Sequence, residues 1–297
     1  MKEAVSYFES MRRWKNLNLQ VMFYRHTPAS NPGLHSHDFY ELVLVCSGSA
    51  RHYMNAEALP IQAGDLILVP PGIVHGYLEP DDLRIYNILF CRDVFETISA
   101  DLSPLPAFQM MFQVQPNLDS SLRHETGLLS LSGNAFERAL EYAEEICRET
   151  RLRAPGAETT VRGLFLCLVA HCLRYARLDS ESAAGYARQI SSVLAMLDQH
   201  PEKNWQLSAM AKHAGMSQAN FRLHFRRLTG HSPGAFLLDL RLKKAAVMLR
   251  AGRLSVGEIA FRTGFHDANY FSRQFHRFSG NSPRDYRRNK ENDASRG

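Results

Sequence analysis

Three histidines and a glutamate in the first third of the chain have the types and spacing of ligands for an ion or a small polar molecule. A single residue separates His35 from His37, Glu41 stands four positions after His37, and His75 comes after a further strand-like stretch. Side chains alternate along an extended strand, so His35 and His37 point to the same side. Imidazole and carboxylate groups bind divalent transition metals, and they also hydrogen-bond to polar molecules.

The stretch HSHDFYE (residues 35–41) resembles the first sequence motif of the cupins, and GDLILVPPGIVH (residues 64–75) resembles the second. The resemblance implies a β-barrel in which facing strands bring the four side chains together inside. We expect the set to line the pocket of a small-molecule effector, and we predict neither a cofactor nor a resident metal. Metal binding by the same residues, with or without catalysis, is the alternative. The predicted effector-binding residues are His35, His37, Glu41 and His75.

Short strands are the elements that must position this set. The stretches 19–25, 39–46, 65–70 and 83–90 are rich in β-branched, aromatic and other apolar residues, and clusters of Gly, Pro, Asn and Asp separate them. This pattern is typical of a small barrel or jelly roll.

Helical periodicity begins near Asn134, and a second predicted helix covers residues 158–177. The apolar positions of the second helix form a narrow seam, which favours a homodimer interface over packing within the subunit. The seam consists of Val161, Leu164, Leu168, Cys172 and Tyr175. Residues 178–187 are small and polar and predict a linker.

The C-terminal third contains an internal repeat. SQANFRLHFRRLTGHSPGAF (217–236) and DANYFSRQFHRFSGNSPRDY (267–286) share identical residues at six positions, offset by 50. Each copy reads as a short helix, a turn with glycine and a second helix, which is the helix-turn-helix plan. The two units cover about 208–229 and 256–279, and one long helix (234–252) joins them. The second helices must turn apolar side chains inward, namely Phe221, Phe225 and Leu228 in one copy and Phe271, Phe275 and Phe278 in the other.

The charge is distributed unevenly between the two parts of the chain. From Tyr186 onward there are 19 Lys and Arg against 8 Asp and Glu, whereas residues 1–185 contain 16 against 22. The C-terminal part therefore has a formal net charge of +11 and the N-terminal part −6. A basic domain with two helix-turn-helix units, each exposing Arg with Gln or Asn, predicts duplex DNA as the partner.

The C-terminal hundred residues resemble the AraC/XylS family of transcription regulators, through residues 215–236, the joining helix and residues 258–287. The resemblance implies a DNA-binding domain that inserts two recognition helices into successive major grooves. Matching positions imply base contacts for Gln218, Arg222, Asn269, Ser272 and Arg273, and phosphate contacts for Arg226 and His276. Together with the helix-capping Ser217, these are the predicted DNA-binding residues.

The predicted fold class is α+β with two domains, an N-terminal cupin-like β-barrel with a helical dimerisation segment and a C-terminal all-α domain. The predicted boundaries are 1–177 for the effector-binding and dimerisation domain, 178–187 for the linker, and 188–290 for the DNA-binding domain. The five cysteines lack a CxxC pair, which argues against a disulfide framework or a thiolate zinc site. No apolar run reaches the roughly 18 residues of a membrane span, so we expect a cytoplasmic protein without a membrane partner.

These features predict a sequence-specific transcription regulator, not an enzyme, controlled by a small effector in the barrel. The layout is similar to sugar-responsive members of the family such as rhamnose regulators, which implies a sugar effector. The expected partners are duplex DNA, a second copy of the chain and, for an activator, RNA polymerase. A metal-dependent cupin enzyme fused to a DNA-binding domain is the alternative, and a constitutive regulator whose barrel only dimerises is another. The N-terminal arm, residues 1–16, is the segment that an effector would restrain.

Overall fold

The computed structural model describes residues 6–8, 19–30, 33–54, 56–114, 116, 129–152, 154–178 and 181–294. These residues form two compact units, Met1–Ser191 and Ser192–Gly297. The first unit is rich in β-sheet and the second is helical, which confirms the predicted fold class. None of the described helices combines the length and the apolar character that crossing a membrane requires.

The first unit, here called the β-domain, is built on one nine-stranded sheet. The long strands β4 and β7 form the centre of this sheet. β4 pairs with β5, β6 and β7, while β7 also pairs with β2 and β3. β1 runs parallel to β3, and β8 joins β6 to β9. The strands are β1 (Ser6–Phe8), β2 (Leu19–His26), β3 (His35–His37), β4 (Tyr40–Met54), β5 (Glu57–Gln62), β6 (Asp65–Val69), β7 (His75–Phe90), β8 (Leu129–Ser130) and β9 (Arg177–Leu178).

Irregularities in the middle of β4 change which side chains face the inner core. The register with β7 shifts three times between Val45 and Arg51. Before these shifts the odd-numbered Val43 and Val45 face the core, and after them the even-numbered Ala50 and Met54 do so. Gly48 permits the bend, because it has a φ of +76° and a Cβ there would lie 2.2 Å from the carbonyl oxygen of Asp82. The bulged region therefore keeps one continuous interior along a 15-residue strand.

Helices cover the outer face of the sheet, where aromatic rings of strands and helices meet. Tyr40 stacks on Phe95, and Phe90 contacts Phe165 with a centroid distance of 5.1 Å. Both faces of the centre of β4 are thus buried, which explains its unbroken apolar run. The helices are α1 (Arg92–Leu102), α2 (Pro106–Gln109) with a π-helical turn at Met110–Val114, α3 (Gly133–Leu152), α4 (Ala157–Tyr175) and α5 (Glu181–Gln199).

The predicted dimer seam on α4 packs inside its own subunit. Val161, Leu168 and Cys172 are at most 1% exposed, and α4 lies alongside α3. These three seam positions therefore pack within the subunit, whereas Leu164 is half-buried and Tyr175 is 43% exposed. The homodimer itself stays a prediction. The predicted linker, residues 178–187, also has regular structure, since β9 ends at Leu178 and α5 begins at Glu181.

The second unit consists of two helix-turn-helix pairs joined by one long helix. Side-chain caps start five of its helices: Ser217, Ser232, Ser255, Asp267 and Ser282 each accept a hydrogen bond from a backbone N–H of the first turn. The pairs coincide with the two predicted units. The helices are α6 (Leu207–His213), α7 (Gln218–Thr229), α8 (Pro233–Ala251), α9 (Val256–Arg262), α10 (Ala268–Ser279) and α11 (Pro283–Ala294).

The sequence repeat is also a repeat of contacts. Phe225 meets Phe236 edge-on at 5.6 Å in the first copy, and Phe275 meets Tyr286 edge-on at 5.2 Å in the second. Each second helix buries its two repeated phenylalanines completely. The prediction for Phe278 is wrong, because this ring is 37% exposed and only its edge reaches Phe275.

Arg241 on α8 joins the start of the helical unit to its second helix-turn-helix pair. Its guanidinium donates hydrogen bonds of 2.8 Å to the carbonyl oxygens of Pro201 and Lys203. Gly264, the turn glycine of the second pair, has a φ of +87° and packs against the same groups. A Cβ at Gly264 would lie 2.6 Å from the Pro201 oxygen and 2.7 Å from the Arg241 guanidinium. The junction therefore accepts only glycine at this position.

We expect Gly264→Ala to lower the melting temperature of the full chain more than Gly280→Ala does. Both glycines have positive φ, which disfavours alanine by about 1–2 kcal/mol. Gly280 has open space around its Cβ position, whereas Gly264 adds a steric clash worth about 1–3 kcal/mol. Thermal unfolding followed by circular dichroism measures the difference, and equal shifts for the two variants would contradict the close packing of the junction.

Candidate functional site

The structure brings the four predicted ligand residues of the β-domain together. Nε2 of His37 lies 3.1 Å from Oε2 of Glu41, and Nε2 of His75 lies 3.4 Å from the same oxygen. The ring of His35 is 4.3 Å from that of His75, centre to centre. The ligand atoms of His35, Glu41 and His75 all lie within 4.8 Å of one another. We call His35, His37, Glu41 and His75 the donor set.

Three strands position the donor set, and most of it is shielded from solvent. β3 supplies His35 and His37, β4 supplies Glu41, and β7 begins at His75, which pairs with His35 in register. His37, Glu41 and His75 are at most 3% exposed, whereas His35 is only partly buried. His35 is therefore the least buried member of the donor set.

Backbone carbonyls fix the orientation of all three imidazoles in the donor set. Nδ1 of His35 donates to the Gly33 carbonyl at 3.1 Å, that of His37 to Phe39 at 2.8 Å, and that of His75 to Ile73 at 3.3 Å. A carbonyl oxygen only accepts hydrogen bonds, so the hydrogen of each neutral ring resides on Nδ1. The opposite nitrogen, Nε2, then presents its lone pair.

The electrostatics of the donor set keep its carboxylate charged. Burial alone raises the pKa of the Glu41 carboxyl, but the neighbouring imidazoles of His75 and His37 more than offset it. The pKa of Glu41 therefore lies well below its ordinary value. Burial lowers the pKa of His35, and the nearby His75 lowers it further. The site thus combines a buried anion with an imidazole that favours its neutral form.

Further polar aromatic residues extend from the donor set into the interior, and the sequence analysis missed them. His52 lies opposite Tyr77 in the β4–β7 ladder, with ring centres 5.4 Å apart, and its ring is 5.9 Å from that of His75. His26 on β2 contacts Tyr77 at 5.1 Å. The side chain of His52 points into the interior because of the bulges in β4. Strict alternation from Glu41 along an ideal strand would place it on the opposite face.

A separate cavity of about 390 Å³ lies among the helices of the first unit. Apolar side chains line most of it, and Arg177 and Arg188 supply positive charge. Its volume falls within the usual range of small-molecule sites. This cavity does not include any residue of the donor set, so it is a second place where a ligand of the first unit could reside.

The predicted DNA-binding residues lie on the outer surfaces of α7 and α10. Gln218, Arg222 and Arg226 are exposed on α7, as are Asn269, Arg273 and His276 on α10. Ser217 caps α7 through the N–H of Asn220, and Ser272 is half-buried with its hydroxyl bonded to the Ala268 carbonyl. The guanidinium of Arg273 lies over the ring of Tyr270 at 6.0 Å, which holds its charge close to the helix surface.

Two protein families match the chain in the same two parts. Residues 20–148 match the AraC-like ligand binding domain, and residues 210–289 match a helix-turn-helix domain. The first match contains the donor set, and the second contains both exposed arginine-bearing helices.

Similar proteins include transcriptional activators that align along most of the chain. The HTH-type transcriptional activator RhaR of Cronobacter sakazakii is 27% identical over 259 residues, covering 85% of this chain and 86% of that protein. RhaS of Salmonella schwarzengrund is 28% identical over 263 residues, covering 86% and 88%. The DNA-binding domain of AdpA, solved with a target DNA, is 30% identical over 37% of this chain and 98% of that one, with a TM-score of 0.35.

Proposed function

Because the chain belongs to the AraC family of DNA-binding transcription regulators, we propose that it activates transcription in response to a small polar effector in its β-domain. The ligand-binding and helix-turn-helix families account for the two units, and the similar proteins RhaR and RhaS are named as transcriptional activators. Activation would be completed by contact with RNA polymerase at the promoter. This regulatory role leaves the β-domain a sensor and not a catalyst, and the protein would work in the cytoplasm.

The DNA-reading part of the proposal is supported by the exposed faces of α7 and α10. Arg pairs with guanine, and Gln or Asn with adenine, through two hydrogen bonds on the major-groove edge. Gln218 and Arg222 occupy one such face, and Asn269, Ser272 and Arg273 occupy the other. Arg226 and His276 lie one turn further along, at positions suited to phosphates. The net charge of +11 from Tyr186 onward supplies the attraction to the backbone.

The effector part of the proposal is supported by the polar interior of the β-domain. Buried imidazoles, the hydroxyl of Tyr77 and a carboxylate offer many hydrogen-bonding groups, which is the chemistry that a sugar requires. A sugar entering from the side of His35 would contact this residue first. β1 pairs with β3 in parallel, with Ser6 opposite His35 and Phe8 opposite His37. A ligand that steadies β3 would therefore act on the N-terminal arm, most of which lies outside the described residues.

The dimer part of the proposal is supported by the outer face of α4, opposite the buried seam. Residues at spacings of three and four form an uncharged stripe that the described residues of the subunit leave largely exposed. It consists of Gly163, Leu166, Cys167 and Ala170, of which Leu166 is 37% exposed. Small residues of this kind allow two helices to approach closely, so we place the homodimer contact on this stripe.

We expect Arg222→Ala and Arg273→Ala each to weaken operator binding by about 1–3 kcal/mol and to relax specificity at different base positions. The measurement is operator selection and binding of the full chain at fixed salt. Arg226→Ala should instead weaken binding equally on all sequences, and it should reduce the salt slope of log K by about 0.9. Lys243→Ala, which removes an ion-paired charge on α8, is the control. Uniform losses for Arg222 and Arg273 would assign them to phosphates.

We expect a sugar from a panel of aldoses and deoxy-aldoses, rhamnose included, to raise the melting temperature of the full chain and change its operator affinity. His35→Ala should abolish this response and leave sugar-free operator binding intact, because His35 lies on the accessible side of the donor set. Arg188→Ala, in the separate cavity, is the matched control and should respond as wild type. The opposite pattern would place the effector in the cavity, and no response to any panel member would contradict a sugar.

We expect Leu166→Glu to convert a homodimer to folded monomers, because the charge would be buried in the helix contact. Leu152→Glu introduces the same charge at a leucine that is 65% exposed and outside the stripe, so it should remain dimeric. Sedimentation velocity measures the association state, and circular dichroism checks that both variants fold. A dimeric Leu166→Glu protein would move the interface away from α4.

A further inference from the structure

We propose that Leu223 on α7, the first recognition helix, contacts a base directly by packing against the methyl group of a thymine in the major groove. The inference rests on the proposed reading of duplex DNA by α7 and α10, and it names the base that the first helix prefers at one position. Three observations within the helical unit support it: the direction of Leu223 on α7, its place in the internal repeat, and the side chains that surround it.

Leu223 points away from the core of the helical unit. It lies two residues after Phe221 and two residues before Phe225, and both of these rings are fully buried. Successive residues of an α-helix are rotated by about 100°, so a residue midway between two inward positions is directed about 180° away from them. The solvent exposure agrees with this direction, because Leu223 is 63% exposed. The outermost position of α7 is therefore a leucine.

The internal repeat gives Leu223 a counterpart that is a predicted base contact. At the offset of 50, Leu223 corresponds to Arg273, which lies midway between the buried Phe271 and Phe275 of α10. Arg273 is exposed. Two copies with the same packing should present this position to the duplex in the same way. Leu223 therefore takes the place in the first copy that an arginine takes in the second.

The apolar centre of α7 is surrounded by positive charge. A single exposed leucine is ordinary on a protein surface, so its significance depends on its neighbours. Ala219, one turn before Leu223, is also exposed, and neither side chain can donate or accept a hydrogen bond. Arg222 adjoins this centre, and Arg226 and Arg227 follow on the next turn, all three exposed. Arginines of this kind attract the phosphate backbone, which would bring the apolar centre against the base edges.

The chemistry of a leucine side chain selects one group among those that base pairs present in the major groove. Guanine, adenine and cytosine present hydrogen-bond donors and acceptors there, whereas thymine also presents its C5-methyl group. A leucine against a donor or acceptor would displace water and offer no partner in return, which weakens binding. A leucine against the methyl group buries apolar surface of both molecules. Thymine is therefore the base that suits Leu223 best.

The two recognition helices consequently differ in the bases that they prefer. At matching outward positions the first copy has Ala219 and Leu223, and the second has Asn269 and Arg273. Asn pairs with adenine and Arg with guanine, whereas the two apolar side chains pair with neither. The half-site under α7 should contain a thymine at the position of Leu223, and the half-site under α10 should contain a guanine at that of Arg273. Two unlike half-sites would bind the chain in one orientation only.

The test uses the full-length protein and a duplex that the wild type selects from a random library at fixed salt. Each thymine of this duplex is replaced in turn by deoxyuridine, which keeps the base pair and removes only the methyl group. At one or two thymines of a single half-site, wild-type affinity should fall about 3–5-fold, the loss that corresponds to one buried methyl group. Leu223→Ala should bind the unmodified duplex about 3–10-fold more weakly than wild type. The same deoxyuridine substitutions should then cost this variant nothing further, because the two changes remove one shared contact.

A change of specificity and a control complete the experiment. Leu223→Arg should select guanine in place of thymine at that position, because it gives the first copy the same side chain as Arg273 in the second. Val247→Ala truncates an exposed aliphatic side chain of α8, outside both recognition helices. This control should keep the affinity and the deoxyuridine profile of the wild type. Circular dichroism checks that every variant is folded.

Failure of this inference is distinguishable from failure of the proposed function. The inference is overturned if wild type selects a defined sequence but tolerates deoxyuridine at every thymine, or if Leu223→Ala keeps the wild-type deoxyuridine profile. The proposed regulator would stand in both cases. If wild type selects no sequence, and Arg222→Ala and Arg273→Ala bind DNA as wild type does, the proposed DNA reading is wrong and this inference is wrong with it.

Discussion

The β-domain is organised around one buried carboxylate. Glu41 lies on a central strand at 3% exposure, and a charge in such a place must be compensated by neighbouring groups. β3 and β7 supply that compensation with imidazoles, and their pairing at His35 and His75 places the rings on the carboxylate. The bulges of β4 then continue the same interior toward His52 and Tyr77. Strand pairing, bulges and carbonyl acceptors therefore together shape the polar part of the interior around Glu41.

In the helical unit, by contrast, the basic side chains must remain on the surface. Each recognition helix buries two phenylalanines on one face and exposes arginine on the other, so packing and DNA attraction do not compete for the same side chains. Capping residues fix where the helices start, and the edge-on contacts of Phe225 with Phe236 and of Phe275 with Tyr286 repeat the same joint twice. The two units of the chain thus segregate its charge by function, as the sequence composition indicates.

Features encoded within a few residues could be predicted from the sequence, and features that depend on distant neighbours could not. The helix-turn-helix pairs follow from local caps, glycines and an internal repeat, and the convergence of the donor set follows from two spaced motifs.

Leu168 was misassigned because a narrow apolar seam has the same pattern whether it faces its own subunit or another. His52 escaped notice because bulges reverse the alternation between it and Glu41. Phe278 occupies an inward position by periodicity, yet its ring is 37% exposed. Small polar residues near 181–185 favour a linker, although the following apolar positions of α5 bury Ile190 and Leu194 and continue the helix.

The junction of Arg241, Pro201 and Gly264 has a consequence for the length of the operator. α8 contains 19 residues and spans about 27 Å, and the contacts of Arg241 and Gly264 tie the second helix-turn-helix pair to it. One inserted base pair between two half-sites displaces the second by about 3.4 Å and rotates it by about 34–36° around the duplex axis. Two recognition helices that are held rigidly to each other cannot follow that rotation, whereas helices joined by a flexible linker would. Two helices placed in successive major grooves, as the family resemblance implies, would therefore measure phase along the DNA as well as sequence, and the spacer between the half-sites would be as much a part of the recognised site as the bases themselves.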